Sequence, residues 1–330
     1  MSSLAAAVEK AWYGDASWTR LLLPLSCLYG LLVRVRRSAF ERGWLRSESV
    51  GVPLVVVGNI TAGGTGKTPV VIEVVKALQA AGLCVGVVSR GYGRQSPQLL
   101  RVDDESTSGG VGDEPLLIYR ETGAIVVVCA DRVAAARAAV GAGATVLVSD
   151  DGLQHYQLRR DVEIVCSDGK SGFGNGLLIP AGPLREPLQR LGSVDYFLQR
   201  GGSDPHSATQ FRPKHFRHLV TGEIRELSAH GFTDEVHAEA SIARPGRFFE
   251  ELRNLGLDIR EHANADHAAL TAQSFAGFAD ETIIMTTKDA VKCEVLALPN
   301  AWALVMDLDL PEGFLQGVVE DCLQWRNGKQ

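Results

Sequence analysis

The chain lacks any cysteine pattern. Cys27, Cys84, Cys129, Cys166, Cys293 and Cys322 are scattered, with no C-x-x-C pair and no regular spacing, so a disulfide framework is excluded and they read as reduced core residues of a cytosolic protein. The eight histidines offer no H-E-x-x-H and no Cys/His zinc spacing. His262 and His267 lie five apart and do not share a helix face, so no structural zinc is expected. There is no excess of positive charge: 33 Lys and Arg stand against 39 Asp and Glu, a formal −6, which gives no general affinity for nucleic-acid backbones. The apolar run Leu21 to Val33 covers 13 residues, short of the roughly 20 a bilayer-spanning helix needs. It starts too late, with no basic region at the extreme start, for a signal peptide. No internal repeat, charge block or low-complexity tract is present.

What is present is an ordinary globular composition, 45% hydrophobic and 22% charged, over 330 residues. That is enough for about two domains, each with its own core. Charge is uneven. Residues 1–53 hold seven cations (Lys10, Arg20, Arg34, Arg36, Arg37, Arg42, Arg46) against four anions, leaving −9 for the rest. Trp18, Leu21, Leu22, Leu25, Leu28, Tyr29 and Leu32 fall along one helical face just ahead of Arg34, Arg36 and Arg37. This pattern suits either a helix lying on a membrane surface, its arginines on anionic lipid, or a helix packed on the protein's own core.

From Pro53 onward, short β-branched runs alternate with helical patterns, which predicts a mostly parallel sheet covered by helices. The strand candidates are 54–58, 84–89, 124–130, 145–150, 162–167 and 195–199, with helices at 67–81, about 113–121 and 131–141. The Gly/Ser/Pro-rich stretch 200–210 reads as a linker. Beyond it lie a hairpin region (211–227), a helix from near Pro245, strands at 281–287 and 301–308, and a terminal amphipathic helix from about Glu312 to Trp325. The expected organisation is an amino-terminal membrane-associating segment (1–50), a P-loop α/β/α domain (51–210) and a smaller α/β domain (211–330).

The sharpest motif is Thr61, Ala62, Gly63, Gly64, Thr65, Gly66, Lys67, Thr68, which follows the strand LVVVG and opens the helix KTPVVIEVVKALQA. Glycines allow the loop to turn its N–H groups inward onto phosphate oxygens at a positive helix end. Lys67 would reach the β- and γ-phosphates of ATP, and the Thr68 hydroxyl would serve Mg²⁺. Thr61 stands where the usual first glycine falls. A P-loop enzyme also needs a metal-binding carboxylate at the end of a neighbouring strand, and Asp150 with Asp151 follow TVLVS at such a place; a turn cap accounts for an isolated Asp equally well.

Transfer to an alcohol requires a group to accept the hydroxyl proton. Asp113 and Glu114 begin a helix, where capping competes with catalysis as the explanation, and periodicity does not separate the two. Asp266 and His267 could orient one another as a carboxylate–imidazole pair. Arg185 with Glu186 in a Gly/Pro-rich loop, and Arg132 at a helix start, are arginine-bearing candidates for a phosphate site.

Taken together, VVVGNITAGGTGKTP (55–69), SRGYGR (89–94), GDEP (112–115), ADR (130–132), SDDGLQH (149–155), IPAGPLRE (179–186), RPGRFF (244–249), DH (266–267) and TTKDAVK (286–292) resemble the tetraacyldisaccharide 4'-kinases, in order and over nearly the whole chain. The resemblance implies a P-loop domain joined to a smaller α/β domain by a two-stranded linker, with the site in the cleft between them. It implies use of Mg-ATP to phosphorylate the 4'-hydroxyl of a tetraacylated glucosamine disaccharide 1-phosphate, a step of lipid A synthesis. The enzyme would be peripheral at the cytoplasmic face of the bacterial inner membrane, attached through its first helix, with no nucleic acid and no obligatory protein partner. Under this resemblance Asp113 is the base and His267 its partner, Asp150 and Asp151 are metal and site acids, and Arg132, Arg185 and Glu186 are site residues. Two departures stand out: Thr287 where Glu is common in a T-E-K-D run, and Ser241-Ile-Ala where a glycine-containing version is common. The rivals are a membrane-associated P-loop switch ATPase or metal-insertion factor, and a non-enzymatic nucleotide-binding protein. Guanine specificity would need [NT]-K-x-D, and here Lys288 and Asp289 are adjacent.

Overall fold

The structure is a computed structural model that describes residue 8, residues 10–14 and residues 17–328. A 3-10 turn, Ser17–Leu22, leads into helix α1 (Leu23–Glu41), with Pro24 in the first turn, where its missing N–H costs nothing. The helix outruns the apolar stretch by a further two turns, closed by an Arg37–Glu41 ion pair at 2.6 Å. By length and composition the segment Trp18–Glu41, which holds an 18-residue window of mean hydropathy 1.3, is long and apolar enough to cross a membrane. The 13-residue run is thus the apolar part of a longer helix that continues through Arg34, Arg36 and Arg37.

Strands β1 (Leu54–Gly58), β2 (Val85–Ser89), β4 (Ile125–Val128), β5 (Val146–Asp150), β6 (Val162–Asp168) and β7 (Tyr196–Arg200) form a parallel array in the order β7-β6-β1-β5-β2-β4, and the short β3 (Leu100–Arg101) closes its edge antiparallel to β4. β1, β2 and β5 are buried at every residue, which is why they read as continuous apolar runs. Alternate residues feed two cores. Val55, Val57, Val87 and Val148 meet helices α2 (Lys67–Ala80) and α3 (Asp113–Thr122) on one face; Leu54, Val56, Val88 and Leu147 meet α4 (Arg132–Gly141) on the other.

The sheet continues into the second half. β8 (Ala208–His218) pairs parallel to β7 and antiparallel to β13 (Ala301–Asp309) and to β9 (Ile224–Glu226). Beyond β13 lie β12 (Ile283–Thr286), β10 (Val236–Ala240) and β11 (Ile259–Ala263), all mutually parallel. Position 210/211 falls within β8, so the stretch read as a linker is in part a shared strand. Helices α5 (Pro245–Asn254) and α6 (Thr287–Cys293) flank this half. The last helix, α7 (Phe314–Asn327), returns to the first half, where Phe314, Val318 and Cys322 join the core under α2.

A buried ion pair ties the halves beside the phosphate loop. Asp168, at the end of β6 and 3% exposed, takes both guanidinium nitrogens of Arg247, and Arg244 Nη1 at 3.1 Å. Burial works to raise its pKa, but the Arg247 hydrogen bonds, the Ser171 N–H and the Arg244 charge hold the carboxyl far below the ordinary range. Because the folded-state value lies below the unfolded one, about 3.9, the stabilisation is complete above about pH 4 and lost as pH falls through the depressed value. Asp168→Asn is expected to cost roughly 1.5–3 kcal/mol at pH 7, with the difference from wild type narrowing below about pH 4; chemical denaturation at several pH values checks both.

Candidate active site

The site sits where the parallel strands of the first half end, the usual position for ligands in such sheets. After β1 the chain enters the loop Thr61–Thr68. Gly63 and Gly66 hold φ of 103° and 78°, and Gly66 caps α2, so the loop needs glycine at these two points. A Cβ on Gly66 would also lie 3.1 Å from the Phe211 ring. Thr61 is possible in place of glycine because it is buried in an antiparallel bridge to Leu184, and Ala62 N–H donates to Pro183 O at 2.8 Å. Asn59 Nδ2 spans the loop to Gly63 O at 3.2 Å.

Two acids follow. Asp150 ends β5 fully buried and accepts from Ser89 Oγ at 3.2 Å; burial first, then the charges of Glu114 and Asp151, push its pKa up. Asp151, held at φ 49°, lies 3.4 Å from Lys67 Nζ and 3.4 Å from Arg185 Nη1. Burial opposes its ionisation, yet Lys67, Arg185 and Arg132 together bring its pKa below the ordinary value. Thr65 Oγ1 and Asp151 Oδ1 are buried with no hydrogen-bond partner. A glycine-walled cradle with an orphaned hydroxyl, beside a buried carboxylate crowded by two others, suits a polyphosphate with its divalent cation. Thr68, Asp150 and Asp151 are the residues that would hold that cation.

Arg132 and Glu186 are placed differently from simple phosphate ligands. Asp131 caps α4 through Val133 N and Ala134 N, and Arg132, buried beneath, donates to Asp150 O at 2.8 Å and Val88 O at 3.2 Å. It ties the ends of β2 and β5 together. Glu186 is buried and engaged by Gln154 Nε2 at 3.0 Å, Tyr156 OH at 2.8 Å and Arg190 Nε at 3.3 Å; Gln154 also donates to Asn59 O at 3.0 Å. Glu186 thus supports the loop from behind, whereas Arg185 reaches into the site.

Asp113 opens α3 but makes no side-chain cap hydrogen bond; the preceding residue, Gly112, holds the N-cap position. Its Oδ2 instead lies 3.0 Å from His267 Nδ1 and 3.5 Å from Lys292 Nζ. The sequence pairing of Asp266 with His267 is weaker, at 3.8 Å. His267, at φ 59°, is delivered by the loop after β11, with the Tyr92 ring 5.0 Å away. On its other side stands Lys288, 3.1 Å from Nε2, 3.2 Å from Glu114 Oε1 and 3.6 Å from Asp266 Oδ1. Asp289 accepts from Thr286 Oγ1, Ser241 N and Lys292 Nζ at 2.8, 3.0 and 2.9 Å, which locks the TTKD turn onto the loop after β10. Lys288, Lys292, Asp289, Tyr92 and Asn59 were not singled out from sequence as site residues. Their signal was membership of TTKDAVK, SRGYGR and VVVGNITAGGTGKTP.

A phosphate cradle and a carboxylate–imidazole pair contributed by two halves of one sheet suit a P-loop phosphotransferase acting on an acceptor with a hydroxyl proton to lose. The model of the tetraacyldisaccharide-1-P 4'-kinase family, LpxK, matches residues 18–323, and the chain belongs to that family. Among curated relatives, the tetraacyldisaccharide 4'-kinase of Alkalilimnicola ehrlichii is 46% identical over 294 residues, 87% of each chain. That of Vibrio vulnificus is 44% identical over 312 residues, 90% of this chain and 91% of the other. The crystal structure of LpxK from Aquifex aeolicus in complex with ATP superposes with a TM-score of 0.77 at 26% identity, covering 93% of this chain and 99% of that one.

Proposed function

We propose that the chain transfers the γ-phosphoryl group of ATP to the 4'-hydroxyl of a tetraacylated glucosamine disaccharide 1-phosphate, with Asp113 as the proton acceptor. The observation that carries the reading is the 3.0 Å contact between Asp113 and His267 at the mouth of a P-loop, in a chain of this family. A switch-type ATPase has no use for such a pair. Both neighbours of the Asp113 carboxylate approach Oδ2, so the hydroxyl proton is assigned to Oδ1. As the proton leaves, the 4'-oxygen bonds to the γ-phosphorus and the bond from phosphorus to the β,γ-bridging oxygen breaks, releasing ADP. Lys67 and the loop N–H groups bind the β- and γ-phosphate oxygens, and Arg185, now shared with Asp151, is within reach of the moving charge. Mg²⁺ bound by Thr68, Asp150 and Asp151 would screen the polyphosphate.

The lipid class of the acceptor is supported by α1. Its outer face exposes Leu25, Leu28, Leu31, Leu32 and Val35, each more than half exposed, as is Leu21 in the turn before it. Its inner face docks on the catalytic half: Ser26 Oγ donates to Leu178 O at 2.8 Å, Tyr29 OH donates to Arg185 O at 2.9 Å, and Gly30 lies against Leu178. A groove of about 350 Å³ between α1 and residues 176–189 is lined by Leu23, Cys27, Leu31, Leu178 and Leu188, together with Arg34. A helix bonded along one side to the enzyme and apolar along the other, with Arg34, Arg36 and Arg37 within it, lies in the interface rather than across the bilayer. This supports reading the enzyme as a peripheral protein of the cytoplasmic leaflet, where ATP is available.

Two measurements check these readings. With labelled γ-phosphate and the tetraacylated disaccharide 1-phosphate in detergent, wild type is expected to give labelled lipid. Lys67→Ala is expected to give none, and Asp113→Ala to lose at least about a hundredfold in turnover while still binding ATP; full turnover by the Asp113 variant would remove it as the base. Replacing Leu25, Leu28 and Leu32 by Asp is expected to release the protein from anionic vesicles in flotation with ATP affinity unchanged. Equal flotation of variant and wild type would overturn the interfacial helix.

A further inference from the structure

We propose that Lys288 is the positioning residue that fixes the tautomer of His267, by donating to Nε2 and thereby keeping the ring's single hydrogen on Nδ1, where Asp113 receives it. This rests on the reading of Asp113 as proton acceptor. An ammonium group has three N–H donors and no acceptor, so the 3.1 Å contact requires a lone pair on Nε2. An ionised carboxylate only accepts, so the 3.0 Å contact on the opposite side requires a hydrogen on Nδ1. Only the neutral Nδ1–H ring satisfies both. The reverse tautomer would point N–H at the ammonium and a lone pair at the carboxylate, and an imidazolium would still face Lys288 with N–H.

The groups around the pair are consistent with this. Glu114 at 3.2 Å and Asp266 at 3.6 Å flank Lys288. Burial works to lower the amine's pKa, but these two carboxylates keep it above the ordinary value. Lys292, itself held by Asp289, lies 3.5 Å from Asp113 Oδ2 and pairs with that carboxylate. The ring's own position is set by His267 N–H donating to Ser241 O at 3.3 Å and by the Tyr92 ring. Each nitrogen of the imidazole is therefore assigned by a different element, α3 of the first half and α6 of the second. A histidine that supports a base through one nitrogen depends on what its other nitrogen meets. The bland alternative is that Lys288 is only a salt bridge joining the halves through Glu114, and it makes a different prediction.

The test is the protonation pattern of the His267 side chain, read by long-range proton–nitrogen correlation in ¹⁵N-histidine-labelled protein and assigned with a His267→Gln control. Wild type is expected to show a protonated Nδ1 and an unprotonated Nε2. Lys288→Met is expected to lose that preference, with kcat falling on the order of 10–100-fold and the KM for ATP changing by less than about twofold. Lys288→Arg, which still donates to Nε2, is expected to keep the tautomer and recover most of kcat. Glu114→Gln breaks the salt bridge but leaves the imidazole contact, so it is expected to keep the wild-type tautomer even if turnover falls. An unchanged His267 pattern in Lys288→Met, or loss of the pattern in Glu114→Gln equal to that in Lys288→Met, would overturn the proposal. Neither spectrum depends on phosphate transfer, so failure of the base assignment, seen as full turnover by Asp113→Ala, is told apart from failure of the Lys288 assignment.

Discussion

The contact between Asp113 and His267 is the constraint around which the molecule is arranged. The two residues are 154 positions apart and belong to different halves of the sheet. Neither half holds the whole cluster: the first carries the phosphate loop, Asp113, Asp150 and Asp151, and the second carries His267, Lys288 and Lys292. The 3.0 Å separation is meaningful only if the relative position of the halves is held to a fraction of an ångström. The shared strand β8, the return of α7 onto the first core and the buried Asp168–Arg244–Arg247 cluster each hold that position from a different direction. An acid and a lysine stand on each side of the His267 ring: Asp113 with Lys292 by Nδ1, and Asp266 with Lys288 by Nε2.

A second chain of contacts runs from helix α1 to the phosphate loop. Tyr29 OH holds Arg185 O, Arg185 N holds Ile60 O at 2.7 Å, and Ala62 N holds Pro183 O. The loop 177–187 therefore lies between α1 and the phosphate cradle and is bonded to both. Thr61, in the place of a customary glycine, belongs to this arrangement: a residue in a β-bridge has no need of left-handed backbone and benefits from a side chain. The helix and the P-loop thus share one structural support, the loop that carries Arg185.

Much of the first half was legible in the sequence because its chemistry is local. Buried parallel strands announce themselves as apolar runs, and β1 was read to the residue; the phosphate loop follows from glycine spacing between a strand and a helix. β10 and β11 were not legible, since His237 and Glu239 stand in a strand that is buried throughout and break the apolar signal. The apolar run Leu21 to Val33 did not show where α1 ends, since arginines are good helix formers and continue it to Glu41. Asp113 could not be separated from a capping residue by periodicity, and the structure shows its carboxylate turned away from the helix end. The resemblance supplied what spacing does not: that Asp113 and His267 belong together. It did not supply Lys288 or Lys292, whose roles exist only in three dimensions.

The most direct measurement of the central claim is a double-variant cycle on turnover with Asp113→Asn, His267→Gln and the two combined. If the residues act as one unit across the sheet, the combined variant loses little more than the worse single variant, and the two losses do not multiply. Losses that multiply in full would show two independent contributions and contradict the account.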